Sequence, residues 1–132
     1  MSAVHRFLLL ALLPLLLAGC HKVYSQFCGE TQEKIGCLRP ADPLSEEVLR
    51  RYMAGVEEGS CPYVLKVSHY EVTACSAPRA KALGSDFDGY VKLQVFREGV
   101  CYYRAQLDYK SGDWRDALPK LTRAVTKELI EP

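Results

Sequence analysis

The chain predicts an α+β fold: a small two-layer domain in which a short, largely antiparallel sheet carries two helices on one face. Two observations lead to this prediction. Apolar residues recur at helical spacing in one segment before the middle of the chain and in another at its C terminus. Between these segments, valine- and tyrosine-rich runs alternate between apolar and polar residues, as strands do. The predicted order of elements is therefore helix, strand, hairpin, helix.

The first helix is predicted in DPLSEEVLRRYMAGVEEG, residues 42–59. Ser45 or Asp42 can cap its start, two glutamates fall in the first turn, and Gly59 can end it. One face carries five apolar residues: Val48, Leu49, Tyr52, Met53 and Val56. We expect this stripe to pack in the core.

A long strand is predicted in PYVLKVSHYEVTACS, from Tyr63 to Ala74. Leu65 and Val67 would face the same side of the sheet as Tyr63. The alternation drifts midway, so we expect a β-bulge near His69. His69 has no nearby Ser, Cys or carboxylate in the pattern of a catalytic site, and we interpret it as a half-exposed strand residue.

The clearest element is a hairpin, YVKLQVFREGVCYYRAQLDYKSG. Its inward apolar positions are Val91, Leu93, Val95, Cys101, Tyr103, Ala105 and Leu107. A two-residue turn would set Val95 against Tyr102 and spoil that face. A three-residue loop, 97–99, instead pairs Val95 with Cys101 and uses Gly99 as its left-handed residue. The same register pairs Leu93 with Tyr103 and Val91 with Ala105.

The last helix is predicted in DWRDALPKLTRAVTKELIEP. Asp116 can cap it, and Pro119 would fall in its first turn. Its apolar stripe consists of Leu118, Leu121, Val125 and Leu129. We expect Trp114, just before the helix, to plug the edge of the core; the alternative is an exposed contact residue.

The first twenty residues have the pattern of an export signal. A head with Arg6 precedes an apolar run from Phe7 to Ala18, about twelve residues, which is shorter than the roughly twenty that a spanning helix needs. The run ends in Leu17, Ala18, Gly19 and Cys20, which resemble the lipobox of bacterial lipoproteins. The resemblance implies cleavage before Cys20, a diacylglycerol on its thiol and a further acyl chain on its amine, and such chains anchor a protein to a membrane.

The resemblance covers the first twenty residues and implies a signal peptide at residues 1–19. Residues 20–40 are polar and broken by glycines, which predicts a lipidated tether with a looped cap, and residues 41–132 are predicted to form one α+β domain. The resemblance also implies a protein held by lipid at the periplasmic face of a bacterial membrane. In enteric bacteria an aspartate after the lipidated cysteine is associated with retention in the inner membrane. Here His21 occupies that position, so we expect the outer membrane.

The charge of the chain is balanced. Cleavage would remove Arg6, and sixteen basic side chains would then face sixteen acidic ones. No Arg/Lys cluster appears along the chain. Because the phosphates of a nucleic acid demand a basic patch, we expect no nucleic-acid partner.

Cysteine usage fits an oxidising compartment. Besides Cys20, the chain has Cys28, Cys37, Cys61, Cys75 and Cys101, so two disulfides would leave one free thiol. The nearest pair, Cys28 and Cys37, brackets a polar segment with glycine at both ends and is the first pairing that we expect. Cys61 and Cys101 could meet if the first and third strands are neighbours, and Cys75 would then be the free thiol. Cys61 and Cys75 cannot bond if a single strand separates them.

The sequence contains no motif of a known catalytic or metal site: no Gly-x-Ser-x-Gly, no zinc-binding helix motif, no phosphate-binding glycine loop and no Cys-x-x-Cys. Asp86, Asp88 and Gly89 resemble the start of a calcium loop, but the other ligands of such a loop are missing. We therefore expect that the protein is not an enzyme and that it binds neither a metal ion nor a cofactor.

The leading hypothesis is a non-enzymatic accessory or structural lipoprotein that binds another protein of the envelope. Its order of elements is similar in outline to small lipoproteins that assist the transport of envelope lipid and lipopolysaccharide, a likeness at the level of the fold alone. The alternative is a periplasmic lipoprotein that binds a small ligand in an aromatic pocket. Its candidate contacts are Tyr70, Tyr102, Tyr103, Tyr109 and Trp114. A third hypothesis, thiol redox chemistry, rests on the unpaired cysteine alone.

Overall fold

The computed structural model describes residues 22–71, 88–110 and 112–131. The signal peptide, Cys20, His21, Cys75 and Asp86 lie outside these residues, as does the predicted continuation of the first strand to Ala74.

The described residues form the predicted α+β domain, a five-stranded mixed sheet with two helices. The elements in chain order are β1 (Val23–Phe27), β2 (Arg39–Pro40), α1 (Pro43–Tyr52), β3 (Tyr63–Glu71), β4 (Gly89–Arg97), β5 (Val100–Tyr109) and α2 (Trp114–Val125), which continues into a π-helical turn (Thr126–Ile130). The strand order is β1-β5-β4-β3-β2, and the only parallel pair in this sheet is β2 with β3.

The core lies between the sheet and the helices, which share one face of the sheet. The strands contribute Leu65, Val67, Val91, Leu93, Val95, Tyr103, Ala105 and Leu107. The helical segments contribute Val48, Leu49, Leu118, Leu121, Val125 and Leu129. Both apolar helix stripes therefore pack mainly inward, as their periodicity indicates.

The segment before α1 is more than the predicted tether and looped cap. β1 pairs with β5, and β2 pairs with β3, so this segment forms both edges of the sheet. Phe27 packs against Tyr103 with ring centroids 5.2 Å apart. The prediction was wrong because Ser25 and Gln26 interrupt the apolar pattern of a strand that is only five residues long.

The first helix ends at Tyr52 instead of at Gly59. Gly55 adopts φ +89°, a left-handed conformation that favours glycine and turns the chain. The chain then runs beside Leu38: the Leu38 N–H donates to the Val56 carbonyl at 2.9 Å, and the Glu58 N–H donates to the Leu38 carbonyl at 3.0 Å.

Asp42 and Ser45, the two predicted caps, have different roles. Asp42 is the N-cap of α1 and accepts the Ser45 N–H at 2.8 Å. Ser45 is fully buried, and its hydroxyl oxygen accepts the Val67 N–H of β3 at 2.9 Å. Because β2 ends opposite Leu65, Ser45 supplies an acceptor at a point where none of the described strands continues beside β3.

β3 has no bulge near His69. Its pairing with β4 runs without a shift from Tyr63 opposite Arg97 to Glu71 opposite Gly89. The apolar pattern drifts because Tyr70 is on the uncovered side of the sheet, while His69 and Glu71 lie at an exposed strand end.

The predicted three-residue hairpin loop is also wrong. Arg97 pairs with Val100 around a two-residue turn in which both Glu98 and Gly99 have positive φ, 52° and 76°. This geometry matches the twist of a hairpin. A shift in register between Val95 and Phe96 then restores the apolar face. The resulting pairs are Val95 with Tyr103, Leu93 with Ala105 and Val91 with Leu107.

The last helix begins earlier than predicted. Asp113 is its N-cap and forms a capping box with Asp116, whose carboxylate accepts the Asp113 N–H at 3.1 Å. Trp114 is therefore the first helical residue, and it is buried, as expected. Pro119 lies inside the helix instead of in its first turn.

Two disulfides join the described cysteines, Cys28 to Cys101 and Cys37 to Cys61. The predicted bond between Cys28 and Cys37 is wrong, because β1 carries Cys28 to the hairpin end of β5. The alternative bond between Cys61 and Cys101 is also wrong: β4 lies between β3 and β5, so the first and third predicted strands are not neighbours.

Candidate binding surface

The side of the sheet that faces away from the helices is uncovered by any element of the described chain, and we call it the open face. Its strand residues alternate with those of the core. They are Tyr24, Gln26, Val64, Lys66, Ser68, Tyr70, Tyr90, Lys92, Gln94, Phe96, Arg104, Gln106 and Asp108. The open face thus combines amides, aromatic rings and cationic groups.

Four cations on or beside this face form a group that we call the basic patch: Lys22, Lys66, Lys92 and Arg104. The strand register brings them together. Gln94 lies opposite both Arg104 and Lys66, and Lys92 is the diagonal neighbour of each of these two residues. Diagonal neighbours in a sheet are about 7–8 Å apart.

A shallow depression of about 560 Å³ lies at the β1 side of the patch. Three patch cations line it together with Tyr24, Gln26 and Gln106. With its amide oxygen turned toward Arg104, Gln26 accepts the guanidinium Nε–H at 3.0 Å. None of the described residues that line the depression carries a carboxylate. Asp108, the one carboxylate on the open face within the five strands, accepts a hydrogen bond from Gln106 at 2.8 Å.

Aromatic rings flank the patch. Tyr24 is 59 % exposed, and Tyr70 is 37 % exposed and stacks on Tyr90 with ring centroids 5.6 Å apart. The Lys92 ammonium lies 5.6 Å from the centroid of the Tyr90 ring. Tyrosines at such positions offer an apolar ring and a polar hydroxyl to whatever contacts the surface.

The five residues predicted to contact a ligand do not come together. Tyr70 lies on the open face, whereas Tyr103, Tyr109 and Trp114 are buried in the core. Tyr102 packs with Phe27 and Tyr63 at the hairpin end, and its hydroxyl donates to the Glu33 carbonyl at 2.6 Å. Three depressions on the described surface separate these residues further: one is lined by Trp114, one by Tyr102, and the one beside the basic patch by none of the five.

Burial also governs the titration of these tyrosines. It raises the pKa of Tyr103 to about 12, and it raises the pKa of Tyr102 and of Tyr109 as well. All three are therefore neutral at physiological pH. Their uncharged hydroxyls are those of residues that pack against other side chains.

The helix side carries a groove of about 310 Å³ between α1 and α2. At one end Trp114 stacks on His69 with centroids 4.1 Å apart and planes 5° from parallel, and the Arg115 guanidinium lies 4.4 Å from the Trp114 ring. His69 thus forms part of a stacked cluster, where it contacts an aromatic ring.

The basic patch was missed at the sequence level. Its residues come from β3, β4, β5 and the residue before β1, so no run of neighbouring cations marks it. The alternation of Lys92 with Val91 and Leu93, and of Arg104 with Tyr103 and Ala105, was visible in the hairpin. The strand order, which that alternation does not reveal, puts Lys66 and Lys22 beside them.

Within residues 22–71, 88–110 and 112–131, no group of three or more His, Cys, Asp or Glu is placed to hold a metal ion. None of the helices formed by these residues has the length and apolar character needed to cross a bilayer.

In comparisons with known proteins, no family model, no curated protein and no solved structure gave a significant match to the chain. Function is therefore inferred from the residues and geometry of the chain itself.

Proposed function

We propose that this protein is a lipoprotein of the bacterial envelope, anchored through acyl chains on Cys20 at the periplasmic face of the outer membrane, and that it serves as a non-enzymatic accessory component by binding another envelope protein. One observation carries the proposal: β1 begins at Val23, three residues after the lipobox cysteine. An acylated Cys20 would hold the sheet itself at the membrane.

The two disulfides support export. Such bonds persist in the periplasm and at cell surfaces and are rare in the cytosol. Both lie in the described domain and join segments far apart in sequence, 73 and 24 residues. A chain crosslinked by two disulfides is consistent with the periplasm, to which the signal peptide would direct it.

We further propose that this protein takes part in the transport of envelope lipid or lipopolysaccharide, because its order of elements is similar in outline to that of small lipoproteins with this role. The order of elements, with strands in the middle and an amphipathic helix at the end, supports this assignment. It is a likeness of architecture, and the partner itself must be found by experiment.

The anchor is tested by the intact mass of the protein extracted from membranes. Wild type should lack residues 1–19 and carry the mass of the acyl chains, and Cys20→Ser should carry none. Cys75→Ser is the matched control, since it removes a thiol without touching the lipobox, and it should keep the acyl mass. An unmodified wild-type protein would contradict the anchor.

The partner is tested by crosslinking in intact cells, followed by capture of the acylated protein in mild detergent. One envelope protein recovered in stoichiometric amount would support the proposal. Recovery of none, in cells where the acyl mass is present, would contradict the accessory role while leaving the anchor intact.

A further inference from the structure

We propose that the open face of the sheet lies on the membrane, with the basic patch in contact with the phosphates of anionic phospholipid headgroups. This inference deepens the proposed function and rests on its anchor at Cys20. It assigns the open face to a lipid surface, so that the helices would face the periplasm.

The first argument is charge complementarity. Lys22, Lys92 and Arg104 line one depression, in which no described lining residue is a carboxylate, and Lys66 is the diagonal neighbour of Lys92. Like charges this close repel one another, and an occupant with negative charge relieves that repulsion. Because the patch extends over several strands of the open face, it matches an extended anionic surface better than a small enclosed ligand.

The second argument is the length of chain between anchor and patch. Lys22 lies two residues after Cys20, and it lines the depression itself. An extended chain spans at most about 3.6 Å per residue, so Cys20 lies within roughly 7 Å of the Lys22 backbone. That distance is below the Debye length of about 8–10 Å at physiological ionic strength. Acylation would therefore bring the patch within electrostatic reach of the headgroups.

The third argument is the aromatic content of the same face. Within the described residues, large exposed hydrophobic side chains are Tyr24, Tyr70 and Val100, and both tyrosines lie on the open face. Tyrosine is enriched where proteins meet the boundary between lipid and water, because its ring is apolar and its hydroxyl is polar. Cations and tyrosines on one face suit a headgroup layer.

The inference is tested with the mature chain without acyl groups, residues 21–132, exported behind a cleavable leader so that both disulfides form. Its affinity is measured by flotation with vesicles of phosphatidylcholine alone and of phosphatidylcholine mixed with phosphatidylglycerol. We expect binding that requires phosphatidylglycerol and weakens as salt is added.

The decisive variant is Lys22→Gln/Lys92→Gln/Arg104→Gln. Each cation near an anionic surface contributes about a five-fold change in affinity, so the triple variant should bind roughly a hundred-fold more weakly. The matched control is Arg51→Gln/Arg123→Gln/Lys127→Gln, which removes the same charge from exposed positions on the helix side. This control should keep most of its affinity. Intact mass and circular dichroism verify the disulfides and the fold of both.

Equal loss of affinity in the two triple variants would overturn the inference, because net charge and not the open face would then govern binding. Binding that ignores phosphatidylglycerol would overturn it as well. Since the assay uses a chain without acyl groups, its failure is distinct from failure of the anchor, which the intact mass of the membrane-extracted protein reports separately.

Discussion

At the scale of single residues, Tyr103 is the most unusual position in the core. Its side chain is fully buried, and within the described residues its hydroxyl is the only buried side-chain polar atom that makes no hydrogen bond of good geometry, although the nearby Ser25 hydroxyl partly offsets the effect of burial on its pKa. Ser25 Oγ, which lies on the same side of the sheet, donates to Glu128 Oε2 at 2.8 Å. A buried hydroxyl without a partner costs free energy, because water is lost and nothing replaces it.

We predict that Tyr103→Phe leaves the free energy of unfolding unchanged or raises it by up to about 1 kcal/mol, because the ring stays and the unpaired oxygen is removed. Tyr102→Phe is the control. The Tyr102 hydroxyl does have a partner, the Glu33 carbonyl, so its removal should lower the free energy of unfolding by about 1 kcal/mol. Denaturant unfolding measures both, and a larger loss in Tyr103→Phe than in Tyr102→Phe would contradict the assignment.

Asp42 makes the stability of the protein depend on pH. The backbone N–H of Ser45 donates to its carboxylate and holds the pKa of Asp42 below its ordinary value of 3.8. A carboxyl group with a lowered pKa in the folded state stabilises fully above its unfolded pKa, and this stabilisation is lost as the pH falls through the folded pKa.

We therefore predict that Asp42→Ala lowers the free energy of unfolding by about 1 kcal/mol at pH 7, as the loss of an N-cap does. The difference from wild type should begin to shrink below about pH 4, where Asp42 of the unfolded chain is protonated, and it should be lost as the pH falls further through the lowered pKa of the folded carboxyl. Unfolding of both proteins between pH 7 and pH 3 tests this. A difference that stays constant over that range would show that the charge of Asp42 is unimportant.

At the scale of elements, one side-chain hydrogen bond joins α1 to β3. The Ser45 hydroxyl accepts the Val67 N–H beyond the end of β2, where no strand of the described chain lies beside this edge of β3. The bond is buried, so the Val67 N–H has no water to replace a lost acceptor. A serine on the inner face of a helix is thus a structural requirement here.

We predict that Ser45→Ala lowers the free energy of unfolding by about 1–3 kcal/mol, the cost of leaving a buried donor unpaired. Hydrogen exchange at the Val67 amide should become faster than in wild type. Ser60→Ala is the control, because Ser60 is exposed and its hydroxyl bonds only to an exposed glutamate. If Ser45→Ala and Ser60→Ala proved equally stable, the hydrogen bond between Ser45 and Val67 would make no measurable contribution to the free energy of unfolding.

At the scale of the whole molecule, the two disulfides join segments that are far apart in sequence. Cys28–Cys101 connects the end of β1 to the hairpin end of β5, and Cys37–Cys61 connects the segment before β2 to the segment before β3. A crosslink restricts the unfolded chain more strongly when it closes a longer loop.

We predict that Cys28→Ala/Cys101→Ala destabilises the protein by about 4 kcal/mol and Cys37→Ala/Cys61→Ala by about 3 kcal/mol, following the separations of 73 and 24 residues. Thermal and denaturant unfolding of the two double variants compare them directly. If Cys37→Ala/Cys61→Ala lost more stability than Cys28→Ala/Cys101→Ala, effects in the folded state would outweigh the entropy of the unfolded chain.

Local patterns were sufficient to predict most elements of this fold. The stripe of Leu121, Val125 and Leu129 predicts a helix on the sheet, and the alternation around Leu93 and Ala105 predicts the paired strands. These patterns depend on neighbours within a few residues, because a helix or strand must present one apolar face to a core. The α+β class and the inward faces follow from the amino-acid order for that reason.

Contacts between distant residues decided the rest. The partner of Cys28 and the edge position of β1 depend on strand order, and a single shift in register beside Val95 made a two-residue turn compatible with the apolar face. The basic patch depends on the same strand order, since Lys66, Lys92 and Arg104 lie on three different strands. Such features arise from the packing of the whole chain, because the local pattern specifies which strands pair within the hairpin but not where β1 and β3 join the sheet.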